Sequence, residues 1–174
     1  HFYFDKKVKT FTAEDHDYRG SGYDRGHLAP AADMKWSKRA MQESFLFSNI
    51  SPQDGSFNGG IWRELEQHLR KQARKHGSLL VVTGPVLVPG LPRIGTEHRV
   101  SVPKAYYKVA VDHTGDSIEA VGYLVPATQQ RAEPSDFIVP VDSVEAVTGL
   151  DFFPELPDPV ETRLESHVYR RHWR

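Results

Sequence analysis

Tyr23-Asp24-Arg25-Gly26-His27 opens the stretch whose reading decides the fold, and Asn58-Gly59-Gly60-Ile61-Trp62, followed by Leu65, Glu66 and Arg70, closes it. Between them, Phe45, Phe47 and Asn49 alternate with Leu46, Ser48 and Ile50, the period-two pattern of a strand. Ser51 to Phe57 reads as a loop. From Asn58, the apolar residues Ile61, Leu65, Leu69 and Ala73 recur at helical spacing, which predicts a helix to about His76, with Gly77 in the C′ position. A short strand entering His27, a second strand and this long helix make a ββα unit.

The residues inside the unit carry a chemistry. Hydrolysing a phosphodiester needs a base for water, a group that neutralises charge on the phosphoryl oxygens, and help for the departing alkoxide. His27 has a side chain whose ordinary pKa, about 6.5, suits a general base near neutral pH. The carboxamide oxygen of Asn58 suits Mg²⁺, a hard cation that keeps most of its waters and often takes one or two protein ligands. Asn58, Trp62, Glu66 and Arg70 recur every four residues and predict one stripe on a regular α-helix, with Glu66 and Arg70 an i,i+4 pair. The planar fork of Arg70 suits phosphate oxygens. Asn58 at the helix start would also lie where free amides favour an anion, and Gly59 and Gly60 permit a sharp backbone turn.

At these residues the sequence resembles the DNA/RNA non-specific endonucleases of the ββα-metal (His-Me finger) type, the family of Serratia nuclease and mitochondrial endonuclease G. The matching text is Asp24 to His27 with Ala29-Pro30, Ser48 to Gln53, and Phe57 to Trp62 with Leu65, Glu66 and Arg70. Val82 to Val86, Val102 to Lys108 and Gly149 to Pro154 extend the likeness over most of the chain. The resemblance implies an α+β fold, a mostly antiparallel sheet flanked by helices with a long catalytic helix. It implies His27 as general base, Asn58 as the single protein ligand of Mg²⁺ (Mn²⁺ or another divalent ion being the substitutes), and Glu66 turned toward a metal-bound water. Arg70 would stabilise the transition state, and Arg25, Asn49 and Gln53 would lie at the nucleic acid. The implied activity is sugar-non-specific cleavage of DNA and RNA to 5′-phosphate ends; the alternatives are a DNA-preferring endo/exonuclease of the same superfamily and an inactive nucleic-acid-binding module. The protein partners considered are a second copy of the chain, as a homodimer, and a protein inhibitor. A secreted or periplasmic location is expected, with a mitochondrial one as the alternative. Relatives of this type carry further N-terminal strands with a phosphate-contacting arginine, whereas no arginine precedes Arg19. Residues 1–174 are therefore expected to be a single domain lacking an N-terminal segment, unless Arg19, Lys7 or Lys9 substitutes.

Composition is that of an ordinary globule, 39% hydrophobic and 26% charged, and no apolar run approaches the roughly 20 residues that span a bilayer, so no membrane partner is expected. With zero cysteines there is neither a disulfide nor a thiolate zinc site. The net charge of −1 conceals a division. Residues 1–111 carry 17 Lys and Arg against 11 Asp and Glu, residues 112–161 carry 1 against 11, and residues 162–174 carry 4 against 1. The first part can hold a polyanion while the molecule stays near neutral.

Elsewhere, residues 1–10 read as an edge strand, 14–22 as a loop, 37–43 as a short helix capped by Ser37, and 79–83 as a short buried strand. Residues 84–93 read as a loop, 105–111 and 117–124 as strands of a hairpin turning at 112–116, and 126–134 as a loop. A strand over 137–141, a helix capped by Asp142 and a last helix over 159–167 follow. Among the nine histidines, His68, His76, His98, His113, His167 and His172 lack a compact ligand spacing and read as surface residues. His16, near Asp15 and Asp17, reads as part of a solvated loop.

Overall fold

The Ala105–Asp112 run forms the strand on which the molecule is assembled, and its alternation explains the layers. Tyr106 and Ala110 point to one face of the sheet, Tyr107 and Val109 to the other, and each face has its own core cluster. The computed structural model describes residues 1–10, 12–115, 118–128 and 131–173. In chain order the elements are α1 (Asp15–Tyr18), β1 (Asp24–His27), α2 (Lys38–Glu43), β2 (Ile50–Gln53), α3 (Gly55–Phe57), α4 (Arg63–His76), β3 (Leu80–Pro85), β4 (Arg93–Ile94), β5 (Val100–Ser101), β6 (Ala105–Asp112), β7 (Glu119–Pro126), β8 (Ile138–Val139), α5 (Val141–Thr148) and α6 (Asp158–Ser166). This is an α+β fold. The main sheet has the order β3-β6-β7-β8 with every pair antiparallel, and β1 pairs antiparallel with β2.

On one face of the sheet α4 and the turn before it bury Phe57, Ile61, Trp62, Leu65 and Leu69 against Tyr106, Ala110, Val121, Tyr123 and Val125. On the other, Val141 and Val144 of α5 and Leu164 of α6 cover Tyr107, Val109 and Ala120. The β1–β2 hairpin is fixed to this frame by one hydroxyl. The Tyr106 O–H donates to the Pro52 carbonyl at 2.6 Å and lies 2.9 Å from Ser51 Oγ, all in the interior.

Several boundaries differ from the sequence expectation for identifiable reasons. The second strand is Ile50–Gln53, and Phe47–Asn49 is a 3₁₀ turn. The Asn49 amide, bonded to the backbone of Ala29 and Ser44, draws the chain out of the extended form there. The long helix is not regular at its start: Asn58–Trp62 forms a π-turn, and Gly60 sits at φ −102, ψ −117, outside the helical region. It ends at Gly77 with φ +100, a conformation glycine tolerates. The strand expected to be buried at 79–83 is an exposed edge, with Leu80 61% and Val82 49% accessible, because it pairs with β6 alone. Residues 1–10 contribute one parallel bridge, Tyr3 to Leu46, instead of a strand. The expected loop at 14–22 contains α1, with Tyr18 buried against Phe47 and Ile50. Asp142 lies inside α5, which Pro140 precedes. Trp173 is fully buried in the α4-side core, so the tail after α6 is part of the packing. The expected hairpin turn and strand start take in Asp116 and Ser117, and the 126–134 loop takes in Gln129 and Gln130; these four positions lie outside the described residues.

Candidate active site

Two hydrogen bonds join β1 to the start of the long helix. Asn58 Nδ2 donates to Asp24 Oδ2 at 3.0 Å, and Trp62 Nε1 donates to the His27 carbonyl at 3.2 Å. The first consumes the amide's donor end, and no described residue hydrogen-bonds to Asn58 Oδ1, which leaves a hard oxygen beside a carboxylate on the accessible side of the hairpin. His27 stands at the end of β1 with its ring edge-on to Phe45 at 4.7 Å and tilted to Phe2 at 5.8 Å. Its Nε2 is buried and has no hydrogen-bond partner. Burial pushes the imidazole below its usual pKa, so the ring is neutral at neutral pH.

A second polar group lies further along α4, around a cavity of about 670 Å³ lined by Leu28, Asn49, Asp33, Glu66, Arg70 and Lys108 among others. Lys108 is 1% exposed, on the α4-facing side of β6 between Tyr106 and Ala110. Its ammonium donates to Thr83 Oγ1 at 2.9 Å and to the Leu28 carbonyl at 3.3 Å, and it stands 4.4 Å from the centre of the Trp62 ring. Burial drives the Lys108 ammonium below its ordinary range, with Glu66 and Asp33 opposing, and drives the Glu66 carboxyl up, with Lys108 opposing. Arg70 Nε donates to Asp33 Oδ1, which aims the guanidinium at the cavity rim. The structure thus joins Asn58 with Asp24, and Glu66 with Arg70, Asp33 and Lys108; the link between the groups is the backbone at His27 and Leu28, held by Trp62 and Lys108.

The three residues expected at the nucleic acid occupy different environments. Arg25 packs its guanidinium over Phe2 and Tyr18 and pairs with Asp15 at 2.8 Å, so it holds α1 to the hairpin. Asn49 spends both ends of its amide on the Ala29 and Ser44 backbone and shapes the loop after His27, while still lining the cavity. Gln53 is fully buried with its amide unpartnered, and it fills the space a Cβ on Gly26 would need: that Cβ would lie 2.1 Å from Gln53 Oε1. A direct contact from Gln53 to a substrate is not available in this arrangement. The stripe expected from Asn58 to Arg70 is interrupted by the π-turn, while Trp62 lies in the core at 1% exposure, as a packing residue.

The DNA/RNA non-specific endonuclease family model matches residues 1–159. The chain belongs to that family. It is 37% identical to mitochondrial endonuclease G of Bos taurus over 89% of this chain and 56% of the relative, and 36% identical to the mitochondrial nuclease 1 of Schizosaccharomyces pombe over 94% and 56%. The chain therefore spans just over half the length of these relatives. Among solved structures, the EndoG/EndoGI complex superposes with a TM-score of 0.82 at 33% identity, covering 91% of this chain and 70% of that one.

A divalent ion of the kind expected for this family fits the residues present: an unengaged amide oxygen and a carboxylate, both oxygen donors and both accessible, suit Mg²⁺ better than a softer ion. Lys108 is the site residue that sequence reasoning missed. The signal was a lysine at an inward position of an otherwise apolar strand, where a charge persists only if it meets a partner.

Proposed function

We propose that this chain is the catalytic domain of a Mg²⁺-dependent endonuclease that hydrolyses phosphodiesters of DNA and RNA without sugar selectivity, leaving 5′-phosphate ends. The observation that carries the reading is the Asn58 amide, turned by Asp24 so that its oxygen is left for a hydrated cation beside His27's strand. When bound there, Mg²⁺ supplies Lewis-acid polarisation of the phosphate and neutralises charge on the leaving oxygen. His27, neutral through burial, takes the proton of the attacking water at Nδ1, the ring nitrogen that is not enclosed as Nε2 is. Phe2 and Phe45 border the ring, so substrate and water approach it from beside this aromatic wall. Arg70, held by Asp33 at the cavity rim, binds phosphoryl oxygens, and Glu66 with Lys108 sets the charge of the cavity floor. Contacts of this kind go to phosphate and carry no base information, which accounts for low sequence selectivity.

The relatives favour the same reading. The matched proteins are named mitochondrial nucleases, which supports the mitochondrial alternative over a secreted or periplasmic location. The EndoG of the matching structure is bound to an inhibitor, which supports a protein inhibitor as a partner class here. The test is cleavage of supercoiled plasmid and of single-stranded RNA with Mg²⁺ and with EDTA. Both substrates should be cut in Mg²⁺ alone, and Asn58→Ala should raise the Mg²⁺ concentration needed for half-maximal rate. Cleavage that persists in EDTA, or an Asn58→Ala enzyme with an unaltered Mg²⁺ requirement, rejects the assignment; DNA cleavage without RNA cleavage leaves the DNA-preferring alternative.

A further inference from the structure

Three residues far apart in sequence meet at the other end of α4. His76 is the last residue of that helix, Asp112 the last of β6, and His172 lies in the tail that buries Trp173. His76 Nδ1 is 3.0 Å and His172 Nε2 2.9 Å from the same oxygen, Asp112 Oδ2. The two imidazoles stack at 4.3 Å with 29° between their planes, and their side chains are 15% and 26% exposed. The carboxylate is 4% exposed.

The other oxygen of Asp112 is already committed. Thr114 donates its N–H to Oδ1 at 2.9 Å, and its hydroxyl lies 2.6 Å from the same atom and 2.7 Å from the His76 carbonyl. A carboxylate oriented in this way by one oxygen, presenting the other to two imidazoles, is the outer-shell arrangement that fixes a metal-binding carboxylate. Burial alone would raise the Asp112 carboxyl, but the bonds from Thr114 and His172 outweigh it and hold the group ionised. A cavity of about 490 Å³ opens on Asp112 and His172, bordered by Lys75, Arg171 and Glu119, and gives an ion and a completing water a route in.

We propose that His76, Asp112 and His172 form a binding site for a borderline divalent transition ion of the Zn²⁺ class, which clasps the C-terminal tail to the end of α4. Two imidazoles and one carboxylate suit Zn²⁺, and the cavity at Asp112 and His172 has room for a water as the fourth ligand. Ligand atoms around one tetrahedral ion with bonds of about 2.0–2.1 Å stand about 3.3 Å apart, so an opening of a few tenths of an ångström accommodates it. The ion takes the place of the proton between His172 Nε2 and Asp112 and bridges the 3.0 Å gap to His76 Nδ1; each imidazole then carries its proton on its other ring nitrogen, which for His76 is the buried Nε2. The site is distinct from the Asn58 oxygens in ligand chemistry, and His172 lies beyond the residues 1–159 that match the family. It does not depend on the proposed nuclease mechanism.

The experiment is titration of the chelator-stripped full chain with Zn²⁺ by calorimetry and with Co²⁺ by visible absorption, with Tm as a second readout. The wild type should bind one equivalent at this cluster, show Co²⁺ ligand-field bands of a nitrogen–oxygen site, and gain several degrees in Tm with Zn²⁺ in hundredfold excess over Kd but none from Mg²⁺ binding here. His76→Gln and His172→Gln should each lower Zn²⁺ affinity by about a hundredfold or more, and Thr114→Val by about tenfold through the loosened carboxylate. The accessible pair His16 and His98, which stand with Glu97, serves as the control. Absence of stoichiometric Zn²⁺ binding in the wild type overturns the proposal. So does binding that both glutamine variants retain, or binding removed by His16→Gln instead. Should His172→Gln fail to fold, His76→Gln and the wild-type Co²⁺ spectrum still decide.

Discussion

The two ends of α4 face the same strand and solve the same problem with different chemistry. Along the inner side of β6 the order is Tyr106, Lys108, Ala110, Asp112, so apolar and charged residues alternate on a surface that is meant to be buried. Near the helix start, Lys108 meets Glu66, Thr83 and a backbone carbonyl, and the surplus charge opens into a cavity with Arg70 and Asp33. At the helix end, Asp112 meets two imidazoles and Thr114, and charge is confined to one carboxylate. A buried cation that shares a cavity with Arg70 is poised to act on an anion that enters; a buried carboxylate set between two imidazoles from other elements holds those elements together.

The sharpest way to break this contrast is at the near end. His27→Ala should lower kcat on supercoiled plasmid by about 10²–10⁴-fold with DNA binding in EDTA unchanged, since a general base contributes that much. A loss below tenfold would remove the proposed base and, with it, the claim that the near end does the chemistry. Lys108→Met should cost about 3 kcal/mol in urea unfolding, because Glu66 is left half-buried beside Asp33 without its cation. Adding Glu66→Gln should recover part of that loss; a double variant as unstable as the single one would mean that Lys108 acts through packing on Trp62 instead of through charge.

At the far end the expected effect is smaller and concerns stability. In metal-free buffer Asp112→Ala should cost about 2 kcal/mol near pH 7, as His172 and Thr114 lose their acceptor. The sign with pH follows from the Asp112 carboxyl being held below its ordinary value of 3.8. Its contribution is complete above the unfolded value and fades as pH falls through the lower folded one, so wild type and variant should converge in acid. Denaturation curves between pH 7 and pH 3 that stay equally far apart would contradict an ionic role.

The smallest effect tests the aromatic wall. Burial lowers the His27 pKa below 6.5, so the acid limb of kcat/KM should lie below pH 6.5 in the wild type, because the base works only when neutral. Phe45→Ala admits water to the ring and should move that limb up, toward the ordinary imidazole value. A limb that moves down, or a wild-type limb above pH 6.5, would show that another group controls the rate.

Much of the near end was legible before any coordinates. The helix over 58–76 follows from the apolar repeat of Ile61, Leu65 and Leu69 and from Gly77, and the structure ends it at His76. Strand, strand, helix was legible as an order, although the second strand falls at Ile50–Gln53 because Asn49 turns the chain just before it. Lys108 lay inside a quoted motif without a role, since nothing local tells a lysine on a strand whether it faces water or Glu66. Gln53 was read as a contact with nucleic acid because its motif adjoins His27; that it fills the hollow over Gly26 depends on the pairing of β1 with β2. His76 and His172 read as surface histidines because ligand spacing was sought within short segments, whereas their common partner comes from a third element.

What the sequence determined by itself was whatever a window of neighbouring residues encodes: helical repeats, caps, the ββα order, and the motif that carries Asp24, His27, Asn58, Glu66 and Arg70. What only the tertiary structure decided was the company each polar group keeps. The π-turn at Gly60, the Glu66 and Lys108 pairing across 42 positions, and the meeting of His76 with Asp112 and His172 across 36 and 96 positions arise where separate elements pack. The physical reason is that secondary structure is set by short-range sterics and periodicity, while the fate of a buried charge is set by which partner the packed core brings within hydrogen-bonding distance.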